Sequence, residues 1–474
     1  MRKIILLVFL YQVHFLLVGA QQPATADPVP TKAQLVWHNM EFYLFMHFGP
    51  NTFTDKEWGH GDEPEDVFNP AALDCRQWCR VAKAAGAKGI IITAKHHDGF
   101  CLWPSKYSTH TVKQSKWKNG KGDILKELSL ACKEYGLKFG VYISPWDRNH
   151  PQYGTAGYND VFVNMMKEIF SNYGPIWELW WDGANGEGLN GKKQVYDWER
   201  FKKTVKQLSP NTVIFSDIGP HIRWVGNEKG IAGQTNWNTL DTMGFTPGAG
   251  APPTDTLNKG NINGRSWIPA ECDVSIRPGW FYHKEEDEKV KTAEELFDLY
   301  LKSVGRGANM LLNVPPDRNG LITAYDSSAL LGFRKLRETS FNENLAKKAK
   351  AQSHYGHVLW DKQFFADGSA KTFEKEKDYK NAFYTLEFAH PQKINCIVLQ
   401  EAIQYGQRIK KLKITLKSDN LNKEIEITTI GRKRIVNFPA EEVSSIRISI
   451  ENAKPSPLLS EVTVYLIDSK LIEK

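Results

Sequence analysis

The sequence predicts an α/β protein in two parts, a (β/α)8-like barrel followed by an antiparallel β-sandwich. Three observations predict it. From residue 42 onward, short strands without polar alternation are each followed by a helix, the pattern of a parallel sheet covered on its outside. Beyond about residue 350 the pattern changes to period-two alternation broken by polar turns. The length of 474 residues exceeds one typical domain.

The chain opens with MRKIILLVFLYQVHFLLVGAQQ. Arg2 and Lys3 precede an apolar run from Ile4, which closes on the small residues Gly19 and Ala20. That order predicts a secretory signal peptide over residues 1–20 and a secreted or periplasmic protein. No Lys/Arg cluster follows Ala20 to retain the segment as an anchor. No later stretch approaches a membrane span, so no stable membrane insertion is expected. Residues 21–31 are polar and Pro-rich, a spacer.

The barrel is expected over residues 32–349. Lys32 to Glu41 suits a short helix and Phe42 to His47 a strand. Helix 75–85 then precedes the apolar strand 89–94 (GIIITA), and helix 124–135 precedes strand 139–144. Helix 158–173 leads to strand 176–181, and helix 196–208 to strand 212–216. Further strands are expected near Asn236, Ile268 and Met310, with a helix from Ala293 to Val304 between the last two. Eight such units close more economically as a barrel than as an open sheet. No GxGxxG follows the first strand, which removes support for a dinucleotide site. After a final helix from Asp326 to about Leu345, runs such as FYTLEFA, KKLKITLK, KEIEITTI and SEVTVYLID predict the sandwich over residues 350–474.

Charge and cysteine content narrow the function classes. The net charge is +7, and less the two charges of Arg2 and Lys3 it becomes +5. Much of the basic excess is local, as in Lys347, Lys348 and Lys350 and the run from Arg408 to Lys413, and nothing gathers it into one stripe, so a solvated face and no nucleic-acid partner are expected. The six cysteines, at 75, 79, 101, 132, 272 and 396, form no disulfide framework, and buried free thiols are the expectation. Fifteen Trp and seventeen Tyr are compatible with a sugar-binding surface and equally with an aromatic-rich core.

Polar residues collect where barrel enzymes place their sites, at the C-terminal strand ends. His47 closes the first strand (FMHFGP), and His96, His97 and Asp98 the second (TAKHHDGF). Tyr142 and Trp146 lie at the third, Trp180, Trp181 and Asp182 at the fourth (ELWWDGA), and Asp217 at the fifth. A three-His metal site would need a local bend to bring His96 and His97 together, so no metal is expected. The imidazoles suit sugar hydroxyls instead. Glycoside hydrolysis needs two carboxyl groups flanking one acetal carbon. Asp182 is one candidate, with Gly183 permitting a sharp turn after it. Glu57, Glu228 and Glu271 are open candidates for the other.

The motifs FMHFG, EWG, TAKHHDGFCLW, VYISPWDRN, WELWWDGANG, FSDIGPHIRWVGNE, WIPAECDVSIRPGWFY and GRGANMLLNVPPDRNG run in order from about Met40 to Gly320. On these the chain resembles glycoside hydrolase family 29, the α-L-fucosidases, and within it the subgroup preferring branched α-1,3/α-1,4-linked fucose. The resemblance implies a retaining exo-enzyme that releases terminal L-fucose from fucosylated oligosaccharides or glycoconjugates by double displacement. It implies Asp182 as nucleophile and Glu228 as acid/base. His47, His96, His97 and Tyr142 would hold fucose, supported by Glu57 and Trp58. Trp180 would be the aromatic before the nucleophile, and Glu271 and Trp280 would stand in rim motifs. No cofactor is implied; water is the second substrate. The C-terminal part resembles galactose-binding-like domains, with a structural role expected. Rival readings are a barrel glycosidase acting on another sugar, such as β-L-arabinose or α-galactose, and a non-catalytic carbohydrate-binding protein. No motif speaks to oligomeric state.

Overall fold

Thr31 caps helix α1 (Lys32–His38) through a reciprocal capping box with Gln34, and the chain then turns into the first strand. The computed structural model describes residues 23–353, 367–369, 371–375 and 382–472; the expected leader, residues 1–20, lies outside them. Strands β1 (Phe42–Met46), β2 (Gly89–Lys95), β3 (Lys138–Ile143), β4 (Ile176–Trp180), β5 (Val213–Ser216) and β6 (Ile222–Trp224) belong to one sheet. A small pair, β7 (Thr239–Leu240) with β8 (Ser266–Trp267), stands outside it. Strands β9 (Ala270–Ser275) and β10 (Asn309–Asn313) complete a closed parallel barrel in the order β1-β10-β9-β6-β5-β4-β3-β2.

Period-two alternation sorts the side chains into two apolar layers. On β1, Tyr43 and Phe45 join the barrel interior with Ile91, Tyr142, Trp180, Phe215 and Leu311. Phe42, Leu44 and Met46 face the helix layer. Helix α2 (Pro50–Thr54) is a short turn in the loop after β1. Helices α3 (Cys75–Ala84), α4 (Ile124–Tyr135), α5 (Gly157–Asn172) and α6 (Trp198–Leu208) precede β2, β3, β4 and β5. Helix α7 (Thr254–Lys259) lies in the excursion between β6 and β9. Helices α8 (Ala293–Lys302) and α9 (Ala324–Ser340) flank β10 in the chain. Trp37 from α1 joins the barrel's interior cluster, while Gln34 donates to the carbonyls of His221 (2.8 Å) and Trp267 (2.7 Å).

The sixth strand differs from the sequence expectation. The sixth is Ile222–Trp224, reached from β5 through residues 217–221 with no intervening helix. The segment near Asn236 leads into β7, outside the barrel, whereas the strand expected near Ile268 is β9, which begins at Ala270. A three-residue strand is too short to show a period, which is why the alternating pattern failed there. Buried Arg223 fixes this excursion. Its guanidinium donates to the carbonyls of Leu257 (2.8 Å), Trp237 (3.0 Å) and Ile268, and to Asn236 Oδ1 (3.0 Å).

The second part is an antiparallel sheet of β11 (Ala349–Ser353), β12 (Glu374–Lys375), β13 (Phe383–Glu401), β14 (Ile409–Ser418), β15 (Leu421–Ile427), β16 (Arg434–Ala453) and β17 (Leu458–Tyr465). Register shifts near Glu387–Gln392 and Ile394–Cys396 interrupt the long β13–β16 ladder. Such irregularities bend a strand pair, and the sheet surrounds one apolar core that includes Leu386, Ile397, Ile414, Ile448 and Val464. Cys396, Val398, Ile435 and Ile467 pack instead with the barrel's outer core. All six cysteines are free and buried.

Candidate active site

The C-terminal strand ends surround a cavity of about 310 Å3. His47, Glu57, Trp58, His96, His97, Tyr142, Trp180, Asp182, Glu228 and Trp280 line it, together with Phe45, Phe215, Asp217, Trp224, Ala251 and Asp273. Glu271 does not line it. Its carboxyl lies wholly buried beneath the floor, accepting from Trp180 Nε1 (2.8 Å) and from the Tyr43 hydroxyl. The rim placement expected for Glu271 is therefore corrected. Glu271 and Asp273 share one face of β9 by period-two alternation, and it is Asp273 that reaches the cavity.

Asp182 follows β4 directly and keeps about a quarter of its side-chain surface open (26%). Its Oδ2 accepts from the Tyr142 hydroxyl (3.0 Å) and its Oδ1 from the backbone N–H of Ala184 (2.7 Å). His97 Nε2 stands 3.7 Å from Oδ2. The carboxylate is thus held in one orientation, with an edge left to the cavity. Gly183 is favoured for space rather than for a positive φ. A Cβ there would lie 3.0 Å from the carboxyl of Asp217, whose Oδ2 accepts from Gly248 N (3.1 Å). Burial, reinforced by the charge of Asp182, raises the pKa of Asp217.

The histidines do converge. The β2–β3 register shifts between Thr93 and Lys95, and the chain turns after Lys95, bringing the His96 and His97 rings to 4.2 Å between centroids. His47 is set by Asn313. Asn313 Oδ1 faces His47 Nδ1 (2.8 Å) and its backbone N–H (3.2 Å), while Asn313 Nδ2 donates to Ser275 Oγ (2.9 Å) and Trp280 O (2.7 Å). Because that oxygen accepts, the His47 proton sits on Nδ1, leaving Nε2 as an acceptor. Burial lowers the pKa of His47 and His97 to about 4, and that of His96 well below its usual value. At neutral pH the three rings are uncharged. Among the described residues no cluster of His, Cys, Asp and Glu has the geometry to hold a metal ion.

The remaining wall comes from two loops. Glu57 braces one of them, accepting from the backbone N–H groups of Trp280 (2.7 Å) and Phe281 (3.0 Å) and pairing with His283 (2.7 Å). Trp280 in turn donates from Nε1 to Glu228 Oε2 (3.3 Å). Glu228 rides on the loop after β6. Asn227 receives the N–H groups of Lys229 (3.1 Å) and Ile231 (3.3 Å), and Asn258 of α7 donates to the carbonyls of Val225 (3.3 Å) and Ile231 (2.9 Å). The floor is aromatic. Trp180 stacks on Phe215 at 4.0 Å and 9°, and Trp58, half exposed, packs edge-on to His97 and Trp146.

Sequence reasoning passed over Phe45, Phe215, Trp224, Asp273 and Asn313 as site residues. The inward alternation Glu271-Asp273-Ser275 on a barrel strand was the available signal for Asp273. Nothing in the sequence marked Asn313, whose role depends on the closure of β10 against β1.

Among the carboxyls lining the cavity, Asp182 and Glu228 come from different elements, over an aromatic floor with uncharged imidazoles. That is a site for a neutral, hydroxyl-rich ligand. Comparison with known proteins agrees. The family model described as alpha-L-fucosidase matches residues 20–335. The chain is 39% identical over 454 residues to alpha-L-fucosidase 1 of Arabidopsis thaliana, covering 94% of this chain and 88% of that one. A crystal structure of a glycoside hydrolase 29 family member from an unknown rumen bacterium superposes with a TM-score of 0.83 at 41% identity, over 94% of this chain and 78% of that one. The Ruminococcus gnavus GH29 fucosidase in complex with fucose gives a TM-score of 0.85 at 30% identity, over 96% and 98% of the two chains.

Proposed function

The chain belongs to the α-L-fucosidase family, glycoside hydrolase family 29, and is an exo-acting enzyme on fucosylated glycans; on that premise we propose that it works by retaining double displacement, with Asp182 as nucleophile and Glu228 as acid/base. The observation that carries this reading is the Asp182 carboxylate, aimed into the cavity by Tyr142 and Ala184 with Glu228 on another wall. An Asp182 oxygen bonds to the anomeric carbon of fucose as the bond from that carbon to the glycosidic oxygen breaks. Glu228 gives its proton to the departing oxygen. Water then attacks the same carbon, Glu228 takes the water's proton, and the Asp182 ester bond breaks to release fucose in its original α configuration. The aromatic floor suits the apolar face and methyl group of fucose, and the neutral imidazoles can exchange hydrogen bonds with its hydroxyls, His47 as an acceptor through Nε2.

The finer parts of the proposal rest on the ordered motifs from Met40 to Gly320 for the linkage and on the leader-like residues 1–20 for export. The aglycone side is selective for branched α-1,3/α-1,4 linkages over α-1,2. The enzyme is exported, with the leader removed after Ala20. Proton NMR of 4-nitrophenyl α-L-fucoside hydrolysis tests the mechanism, and α-fucose must be the first anomer seen. β-Fucose appearing first would refute double displacement. Turnover of an aryl β-L-arabinoside or α-galactoside above the fucoside would move the sugar specificity. Parallel rates on α-1,2- and α-1,3/1,4-fucosyl oligosaccharides decide the linkage.

A further inference from the structure

The inner face of β9 carries three polar residues in a row, and they are not equally provided for. Glu271 receives donors from Trp180 and Tyr43, and the Ser275 hydroxyl donates to Gly279 O (2.6 Å) and accepts from Asn313. Asp273, between them, has neither. It lines the cavity, is only 4% exposed, and its Oδ1 is enclosed without a hydrogen-bonding partner. No side chain among the described residues donates to it. A buried carboxyl in that state is destabilising as an anion.

Its surroundings add to this. The carboxyl groups that act on it are Glu228 from the loop after β6, Glu271 below it on its own strand and Asp182 after β4, each of its own sign when ionised. The imidazoles of His47, His96 and His97 supply no compensating charge, since burial keeps them neutral. Burial first, then the like charges of Glu228 and Glu271, push Asp273 well above the usual carboxylate range, which favours its protonated form. A carboxylic acid is a hydrogen-bond donor, which an ionised carboxylate is not. Two of the cavity's donors, His47 Nδ1–H and Trp280 Nε1–H, are already directed at protein acceptors.

We propose that Asp273, which lines the cavity with an unpartnered carboxyl oxygen, is a further substrate-binding residue whose carboxyl O–H donates a hydrogen bond to a hydroxyl oxygen of the sugar there. The inference rests on the fucosidase reading. Wild-type turnover of 4-nitrophenyl α-L-fucoside is therefore the control, and its absence would count against that reading rather than against Asp273. The hydroxyl belongs either to fucose itself or to the sugar it leaves, and two substrates separate these sources.

Asp273→Leu removes the donor while keeping the branched outline, at a larger volume, and leaves no protein side chain unpaired. It is expected to melt no lower than wild type while kcat/KM falls about 10- to 100-fold. Loss on both the aryl fucoside and a fucosyl oligosaccharide assigns the contact to fucose; loss on the oligosaccharide alone assigns it to the leaving sugar. Asp273→Asn, which restores a donor, is expected to recover about tenfold of that loss. Exchanging a neutral acid for a neutral amide is expected to leave the alkaline limb of the kcat/KM profile in place. Had Asp273 been ionised beside Glu228, the exchange would remove a negative charge and shift that limb to lower pH. Such a shift overturns the proposal, as does full activity of Asp273→Leu on both substrates, or equal loss in the Leu and Asn variants. If the Leu variant does not fold, the alkaline limb of Asp273→Asn decides alone.

Discussion

Asp182 and Glu228 stand in unlike surroundings, and this predicts how each fails when removed. Asp182 is fixed by two hydrogen bonds at the end of a barrel strand, whereas Glu228 sits on a loop and meets Trp280 at 3.3 Å. Asp182→Ala is expected to lose nearly all turnover of an aryl fucoside, with azide or formate restoring part of it. Glu228→Ala should lose about 10²- to 10⁴-fold on an oligosaccharide, whose leaving group needs a proton. On a dinitrophenyl fucoside it should keep far more of its first-step rate, and azide should speed turnover by releasing the accumulated intermediate. Ala variants at 57, 228 and 271, assayed on both substrates, check this. Leaving-group dependence at Glu57 in place of Glu228 would move the acid/base role. Glu271 should behave differently from both, because it reaches the site only through Trp180.

At the scale of elements, β4 and β9 carry a pair of carboxyls into the barrel interior. Glu178 and Glu271 are both fully buried. Burial and their mutual repulsion raise the pKa of Glu178 well above normal, and burial raises that of Glu271. A carboxyl whose folded pKa is raised binds its proton more tightly in the folded state. Its contribution to stability is therefore present below the unfolded value near 4.5 and is lost as pH rises toward the folded value. Glu178→Gln removes one such group while keeping its shape. Melting followed from pH 5 to 9 should fall less steeply in Glu178→Gln than in wild type, by up to about 1.4 kcal/mol per pH unit for one proton. Identical slopes would mean that the pair does not hold a proton in this range. The strands also show where periodicity is informative. The strong runs β1 to β5 were legible within a residue or so, but β6 has only three residues and takes its place from pairing with β5 and β9.

For the whole molecule, the sheet and the barrel form one seam. Asn238 donates its backbone N–H (2.8 Å) and its Nδ2 (3.0 Å) to Gln407 Oε1, and Gln407 Nε2 donates to Asn236 O (3.0 Å). Lys433 pairs with Glu41 at 2.7 Å. Since Arg223 ties residues 236 and 237 to β6, the sheet braces the excursion from which the Glu228 loop hangs. The buried histidines give the fold an acid limit. His47 and His97 have folded pKa values near 4, below the unfolded value of about 6.5. Their contribution is complete above pH 6.5 and is lost as pH falls toward 4, with His96 acting in the same direction. The melting temperature should therefore drop between pH 6.5 and 4, and the drop should shrink in His47→Gln. A melting temperature unchanged across that window would contradict the burial of neutral imidazoles.

The sequence by itself determined the two-part architecture, the barrel strands that have enough residues to show a period, and the strand ends where His47, His96, His97, Tyr142 and Asp182 gather. These are local properties, since hydrophobic period and strand-end position are written in consecutive residues. Only the tertiary structure decided which of the carboxyls Glu57, Glu228 and Glu271 occupies which setting. Glu57 is engaged by the backbone of the Trp280 loop, Glu271 lies under the floor, and Glu228 borders the cavity. It also brought in Asp273 and Asn313, and it showed that Gly183 is favoured by the close approach of Asp217 rather than by its turn. These outcomes depend on barrel closure and on loops more than two hundred residues apart meeting. Residue spacing along the chain carries no information about such distances.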